Sequence, residues 1–388
     1  MFLKSKCVKS ISRTCFGIQG YMMDKGRKRT DMKKYRLVIA VVFAGLFLYA
    51  CNKDKGGGAT SSNDTFKKNM LINYADTLII PAYSDMLSRL ELLDMSSDSF
   101  QANPSLATQA ALKEAFKNAY ISFEGISALY FGPAAAQQLN NSLNIFPAGT
   151  SKIEAGIQSG SYDFTLLVAS DTIQGFPALD YLFFSADAIQ KFNDVDAASR
   201  KTYVKAIITR MKLIVSNTVA QWNNGYRDNF VNSLKTNIGS SIGNLVNQFA
   251  FEMDALKGPR IGYPLGKQSN GIIFADKCEA YFSGITKDVA IANLTSLKKY
   301  YTGGNGKGID DYLNLLGKPQ LNIDVLTQFD VALGALQAIP DPMSSAFSGS
   351  TATVEAAYRE VQKLLTLIKT DVASATAVQI TYMDNDGD

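Results

Sequence analysis

One carboxylate in this chain lies in a pattern that could do chemistry, although it lacks the usual partner. Residues 175–182 read Gly-Phe-Pro-Ala-Leu-Asp-Tyr-Leu, so that Asp180 follows Pro177 by three positions. Residues three apart are neighbours on a helix, and a donor side chain at position 177 would lie beside the carboxylate. Proline offers neither a donor nor a ligand atom, and none of the 388 residues is histidine. The usual base for hydrolysis is therefore missing from the sequence.

Five segments in order resemble the imelysin family, also called peptidase M75. Residues 175–180 are similar to its Gly-x-His-x-x-Glu signature, with Pro177 in place of histidine and Asp180 in place of glutamate. The other similar segments are residues 131–133 with 143–147, where Phe146 stands in for tryptophan, and residues 260–266, 279–284 and 306–313. The resemblance spans roughly residues 66–386.

The resemblance implies an all-α fold of two helical-bundle domains packed with a cleft between them. It also implies a context of iron or nutrient uptake and a ligand site in the cleft. We predict that site at Gly175, Phe176, Pro177, Asp180, Glu124 and Arg260. No catalytic residue and no metal ligand is assigned, because the signature histidine is absent. A carboxylate-only site for iron or another hard cation remains chemically allowed.

Each charged residue of this predicted site also has a purely structural interpretation. Asp180 in the first turn of a helix would be a favourable charge at the positive end of the helix dipole. Glu124 lies in an apolar and aromatic run, where a single carboxylate is more often solvated or ion-paired than a ligand. A buried Arg260 paired with Asp180 or Glu124 would join all three in one network. Such networks are usually structural, which weakens the case for catalysis.

The N-terminus has the pattern of a bacterial lipoprotein signal. Basic residues from Met32 precede a short apolar run, and Leu-Tyr-Ala-Cys ends at Cys51. This run is shorter than a comfortable membrane span, so we predict cleavage and lipidation at Cys51 over the alternative of an anchoring helix. Residues 1–31 precede this signal awkwardly, and Met32 would make the better start. The predicted location is the bacterial cell envelope, lipid-anchored in the periplasm or at the outer-membrane surface.

The leader also accounts for the basic character of the chain. Residues 1–50 contain 11 basic and 2 acidic residues, so they contribute +9 to a total of +4 and the remainder carries −5. A mildly acidic remainder gives no electrostatic footprint for nucleic acid. Without the leader and Cys51 only Cys278 remains, which excludes an internal disulfide and favours a buried apolar thiol.

Apolar residues recur at helical spacing through the rest of the chain, and convincing period-two strands are absent. Three amphipathic stripes stand out: Val204, Ile207, Met211, Ile214 and Trp222; Ile242, Leu245, Phe249, Met253 and Leu256, closed by Gly258 and Pro259; and Tyr358, Val361, Leu365, Ile368 and Val372. The long segment of residues 131–175 is predicted to be a loop over the cleft.

We therefore divide the chain into four parts. Residues 1–50 are the leader, 51–65 a flexible tether, 66–222 an N-terminal bundle with the signature, and 223–388 a C-terminal bundle. The break between the bundles is placed at the Asn-Asn-Gly sequence that begins at residue 223.

The predicted function is a non-catalytic envelope protein that binds a small ligand or an envelope partner and reaches the membrane through its lipid. One alternative is a metallopeptidase of the M75 type, which the loss of histidine at Pro177 disfavours. Another is a purely structural partner-binding lipoprotein whose cleft is filled by Phe176 and Tyr181.

Overall fold

The helical periodicity of the sequence is realised throughout the computed structural model, which describes residues 62–166 and 171–382. These described residues contain no β-strand, and the predicted all-α class is confirmed. The first helices are α1 Ser62–Asn73, α2 Ile80–Ala102, α3 Leu106–Glu124, α4 Pro133–Ala136, α5 Leu139–Leu143, α6 Thr150–Ser159, α7 Gly175–Phe184, α8 Ala188–Lys191 and α9 Ala197–Gln221. They are followed by α10 Arg227–Asn232, α11 Ser241–Ala255, α12 Thr286–Tyr301, α13 Ile309–Leu315, α14 Pro319–Gln337, α15 Met343–Gly349, α16 Thr351–Thr366 and α17 Ala373–Ala375.

Short π-helical segments join several of these helices end to end. They are Tyr74–Ile79, Trp222–Tyr226, Leu256–Gly262 and Leu367–Val372. The predicted stop at Gly258 and Pro259 is therefore wrong, because the chain continues through Pro259 in a π-helical segment that widens the turn. This segment carries Arg260.

Two groups of long helices form the core. In the first group, α2 packs against both α3 and α9. In the second, α16 packs against α11 and α14, and α12 packs against α14. Helix α12 also contacts α3, which joins the two groups. The described residues belong to one compact unit, and the predicted division into bundles at residues 222 and 223 stays a prediction.

The predicted stripes are the buried faces of their helices. Every member of the stripes on α9 and α11 is buried, and so are Val361, Leu365, Ile368 and Val372 on α16 and the π-helical segment after it. Only Tyr358 among them stays partly exposed. Spacing of three and four residues thus identified the sides of the helices that pack together.

Two local expectations need correction. Residues 131–175 are not a single loop, since they include α4, α5 and α6. The tether predicted to reach residue 65 overlaps α1, whose first residue is Ser62. The helix kinks at Asn224 (φ −94°, ψ 37°) and Gly225 (φ 113°), close to the predicted boundary between the bundles, which stays a prediction.

No helix within residues 62–166 and 171–382 is long and apolar enough to cross a membrane. The leader, Cys51 and most of the tether lie outside the described residues, so their assignments stay predictions.

Candidate functional site

The signature segment forms the start of α7, and its first residue requires glycine. Gly175 has φ +72°, and a Cβ atom there would lie 2.3 Å from the carbonyl oxygen of Leu143. Only glycine combines the left-handed conformation with so close an approach of two backbones. Pro177 occupies the first turn of α7, where its missing N–H costs no hydrogen bond, as the sequence predicts.

Asp180 binds backbone rather than the predicted arginine. Its Oδ2 accepts a hydrogen bond from the N–H of Phe282 at 2.8 Å, and its Oδ1 accepts one from the N–H of Ser283 at 2.9 Å. Because α7 begins at Gly175, Asp180 is not in the first turn, so the expected helix-dipole role is wrong. Burial raises the pKa of Asp180 to about 6, and these hydrogen bonds oppose that rise.

A cavity of about 310 Å³ opens beside this carboxylate, and we call it the Asp180 cavity. Its lining includes Phe146, Pro177, Asp180, Lys277, Cys278 and Tyr281. Cys278 is buried, as predicted, and burial raises the pKa of its thiol to about 12. The thiol is therefore protonated at neutral pH and is a poor nucleophile.

Phe176, the remaining aromatic residue of the predicted site, belongs to the core. It is fully buried, and its ring stacks on Tyr120 with centroids 4.4 Å apart and planes at 13°. Phe116 and Phe123 also contact this ring. Such packing positions α7 against α3 and leaves Phe176 no surface for a ligand.

Arg260 and Glu124 form the ion pair expected from the sequence, within a larger group. Arg260 Nη1 lies 2.6 Å from Glu124 Oε2, Nη2 lies 2.8 Å from Glu252 Oε1, and Nε lies 3.3 Å from Glu279 Oε2. We call these four residues the Arg260 network. Asn293 adds hydrogen bonds from its Nδ2 to Glu124 at 2.9 Å and to Glu252 at 2.7 Å. All five side chains are buried.

Sequence reasoning missed two of these carboxylates. Glu252 interrupts the apolar α11 eight residues before Arg260, and Glu279 begins one of the segments that resemble the family. A lone charge within an apolar helix was the available signal, the same one that singled out Glu124. Glu279 is held by Asn144 Nδ2 at 2.6 Å and by the hydroxyl of Tyr120 at 3.1 Å.

The Arg260 network carries more acid than base. Three carboxylates surround one guanidinium, so the group has an excess of negative charge when all are ionised. Burial, opposed by Arg260 and reinforced by Glu279 and Glu252, raises the pKa of Glu124 well above its usual value. The same carboxylates raise the pKa of Arg260 against the effect of burial, so the guanidinium stays charged.

A second cavity, of about 300 Å³, borders this network, and we call it the Arg260 cavity. Its lining includes Asn140, Asn144, Phe146, Phe251, Glu252 and Arg260. Phe146 lines both cavities. The Arg260 cavity therefore offers charged, amide and aromatic groups at one place, which is typical of a ligand site.

A separate polar cluster fixes the far side of α7. Glu154 Oε1 accepts a hydrogen bond from the Tyr181 hydroxyl at 2.6 Å and lies 3.1 Å from Lys191 Nζ. Arg200 reaches both carboxylate oxygens of Glu154, at 3.2 and 2.6 Å. These partners lower the pKa of Glu154 to about 2 despite burial, which opposes them. The cluster ties α6, α7 and α9 together.

A sequence model of the family described as imelysin, peptidase M75, matches residues 79–370. The chain belongs to the imelysin family. The match covers both groups of long helices and both cavities. It thereby confirms the resemblance drawn from the five sequence segments.

Individual relatives agree with this assignment. Iron-regulated protein A of Synechococcus elongatus is 20% identical over 287 residues, which cover 70% of this chain and 76% of the relative. The structure of an iron-regulated protein A precursor from Parabacteroides distasonis matches with a TM-score of 0.67 and 20% identity, over 84% of this chain and 97% of that one. An imelysin-like protein from Psychrobacter arcticum matches with a TM-score of 0.65 and 18% identity, over 82% and 98%. At these identities, the structural likeness establishes the fold.

The residues at the signature of this imelysin do not fit a metal ion. Pro177 has no ligand atom, both oxygens of Asp180 accept backbone hydrogen bonds, and the nearby Cys278 is protonated. At the Arg260 network, the guanidinium lies between the carboxylates, where a metal cation would have to bind. Across the described parts of the chain, no three Asp, Glu or Cys side chains are arranged to hold a metal ion.

Proposed function

We propose that this imelysin is a lipid-anchored binding protein of the cell envelope that holds a small ligand beside the Arg260 network and does not hydrolyse peptides. The observation that carries this proposal is the engagement of Asp180. Its two oxygens accept hydrogen bonds from the backbone at Phe282 and Ser283, while proline stands at the histidine position of the signature. A carboxylate held in this way supports a loop and is not free to activate water.

The Arg260 cavity supports the binding part of the proposal. A guanidinium, a carboxylate and amides beside aromatic rings offer a ligand both polar partners and apolar surface at one cavity. In this family member, the residues around the signature serve to position the walls of the cavities.

The envelope part of the proposal draws on the leader and on the relatives. The leader has the lipoprotein pattern ending at Cys51, the Synechococcus elongatus relative is named iron-regulated protein A, and one structural relative is named a precursor. We propose that this chain is likewise exported and that its context is iron or nutrient acquisition.

The catalytic question is tested with the purified full chain and a panel of protein substrates, alone and after loading with zinc, iron or calcium. We expect no cleavage and no stoichiometric metal. Cleavage by the protein, or bound metal that is lost in Asp180→Ala but kept in the exposed control Asp330→Ala, would overturn the proposal.

The anchor is tested by expressing the chain and Cys51→Ser in a bacterial host and separating membrane from soluble fractions. We expect the unchanged chain in the membrane fraction, with a lipid on the cysteine by mass spectrometry. Equal distribution of the two proteins would contradict a lipid anchor at this position.

A further inference from the structure

The Arg260 cavity presents a hydrogen-bond acceptor that lacks a partner. Glu252 is 2% exposed and lines the cavity, and its Oε1 accepts hydrogen bonds from Arg260 and Asn293. Within the described residues, its Oε2 has no hydrogen-bond partner. Asn140 lines the same cavity, and its Nδ2 donates to the Ser127 carbonyl at 2.8 Å. Its Oδ1 is buried and has no partner among the described residues. An unpartnered carboxylate oxygen at the wall of a cavity favours a ligand that donates hydrogen bonds.

The sign of the local charge also decides which ligand fits. The three carboxylates of the Arg260 network outnumber its guanidinium, and the excess stays negative even when Glu124 is protonated. Lys257, on the same π-helical segment as Arg260, is paired with Asp254 at 3.2 Å. The positive charge of Arg260 is therefore already more than neutralised by carboxylates. A bound cation would reduce the excess negative charge, whereas an anion would add to it.

Aromatic rings complete the wall. Phe123, Phe146 and Phe251 all line the cavity, and an ammonium or guanidinium group is attracted to the face of such rings. A calcium ion takes six to eight oxygen ligands, far more than the second oxygen of Glu252 supplies here. The lining thus suits an organic cation better than a hard metal ion.

We infer that the Arg260 cavity binds a small organic cation through an N–H-bearing ammonium or guanidinium head, with Glu252 as its acceptor and the phenylalanines as its apolar wall. This inference rests on the proposed binding function and names its ligand class. The cavity volume of about 300 Å³ is at the small end for ligand sites, which limits the bound part to a head group and a short chain.

The test uses the purified full chain and three probes of matched size, n-butylammonium, n-butanol and butyrate, titrated by isothermal calorimetry. We expect n-butylammonium to bind at least about tenfold more tightly than n-butanol, with butyrate weakest, because a charged donor gains both the acceptor and the rings. Tighter binding of butyrate, or equal binding of n-butanol and n-butylammonium, would overturn the inference.

Two variants locate the binding. Glu252→Gln should weaken n-butylammonium binding about tenfold or more, while Glu355→Gln, a change of the same type in a solvent-accessible ion pair with Lys267, should leave it unchanged. Because Glu252 also supports Arg260, Phe251→Leu provides a milder probe at a side chain that is 39% exposed. We expect it to weaken n-butylammonium about threefold and n-butanol hardly at all. Unchanged affinity in both Glu252→Gln and Phe251→Leu would place the amine elsewhere and overturn the inference.

The two proposals fail in different ways. Peptide cleavage by the full chain contradicts the proposed function whatever the amine does. Absence of n-butylammonium binding, in a protein that cleaves nothing and copurifies with another small molecule, contradicts the organic-cation inference alone.

Discussion

Asp180 lies at the position where the family signature has glutamate, and in this chain it supports the backbone. Its carboxylate accepts hydrogen bonds from the backbone N–H groups of Phe282 and Ser283. It therefore stabilises the segment that precedes α12 rather than reaching a substrate. The cost is an ionised group that is 2% exposed, which is why burial raises its pKa to about 6. Two backbone hydrogen bonds therefore replace part of the hydration that the Asp180 carboxylate loses on burial.

Replacing Asp180 with asparagine is expected to reduce the free energy of unfolding by about 1–3 kcal/mol at pH 7, because one amide oxygen replaces two acceptors. The pKa of about 6 lies above the ordinary value of 3.8, so the folded state binds more protons between these values. The Asp180 contribution thus falls as pH rises from about 4 to about 6. Urea unfolding at pH 4, 5, 6 and 7 measures it. The wild-type stability should lose more across this range than that of Asp180→Asn, and parallel pH profiles would contradict the assignment.

The sequence predicted one pair of residues at this scale and missed others for a clear reason. Glu124 and Arg260 were recognisable as charges in apolar surroundings that need a partner, and they are paired at 2.6 Å. The partners of Asp180 are backbone N–H groups, which no side-chain pattern encodes. Glu279 could not be placed because its approach to Arg260 depends on the path of the chain between α11 and α12.

At the scale of elements, α7 is fixed from three sides. Its start fits against Leu143 through Gly175, its Phe176 ring packs on α3, and its Tyr181 hydroxyl bonds to Glu154 on α6. A helix held in this way keeps the wall of the Asp180 cavity at a fixed position. Two predictions test separate parts of this arrangement.

Gly175→Ala should destabilise the protein by more than about 2 kcal/mol, because a left-handed residue gains a Cβ that overlaps the Leu143 carbonyl. Gly160→Ala is the matched control, with φ +66° and open space around the added methyl group, and should lose only about 1–2 kcal/mol. Thermal unfolding of both variants gives the comparison. An equal loss in the two would show that the backbone contact at Gly175 relaxes easily.

Glu154→Gln tests the polar side of α7. Arg200, whose side chain is 2% exposed, would lose its nearer charged partner and keep only Asp196 at 3.6 Å, and we expect a loss of about 1–3 kcal/mol at pH 7. The pKa of Glu154 is lowered to about 2 from 4.5, so its contribution is complete above about pH 4.5 and is lost as pH falls toward 2. The difference between wild type and Glu154→Gln should therefore shrink in acid. The solvent-accessible control Glu355→Gln should change stability by less than about 0.5 kcal/mol. A difference that grows in acid would contradict the ion-pair explanation.

Helices with a clear apolar stripe were predictable, whereas their ends and connections were less so. The stripes on α9, α11 and α16 follow from spacing alone. The sequence predicts a stop at Pro259, but a π-helical segment accommodates this residue, since the wider turn changes which carbonyl each N–H meets. The short helices between residues 131 and 175 have too few apolar positions to show a period.

At the scale of the whole molecule, the Arg260 network joins the two groups of long helices. Glu124 ends α3 in the first group, whereas Glu252 and Arg260 lie on α11 and its continuation in the second. Breaking a buried pair from one side leaves charges that water cannot reach, which is costlier than breaking a surface pair. The two groups should therefore unfold together, with the network as one reason.

Arg260→Met is expected to lower the free energy of unfolding by about 3–5 kcal/mol, since three buried carboxylates lose their cation. Trp222, the sole tryptophan of the chain, is fully buried and reports on the first group by fluorescence, while circular dichroism reports on all helices. In wild type the two urea transitions should coincide, as expected for one cooperative unit.

Arg227→Met is the control. Arg227 forms an ion pair with Asp76 across a similar sequence distance but at the surface, so its loss should cost about 1 kcal/mol or less. Equal losses in the two variants, or separate fluorescence and dichroism transitions in wild type, would mean that the network does not couple the two groups of helices.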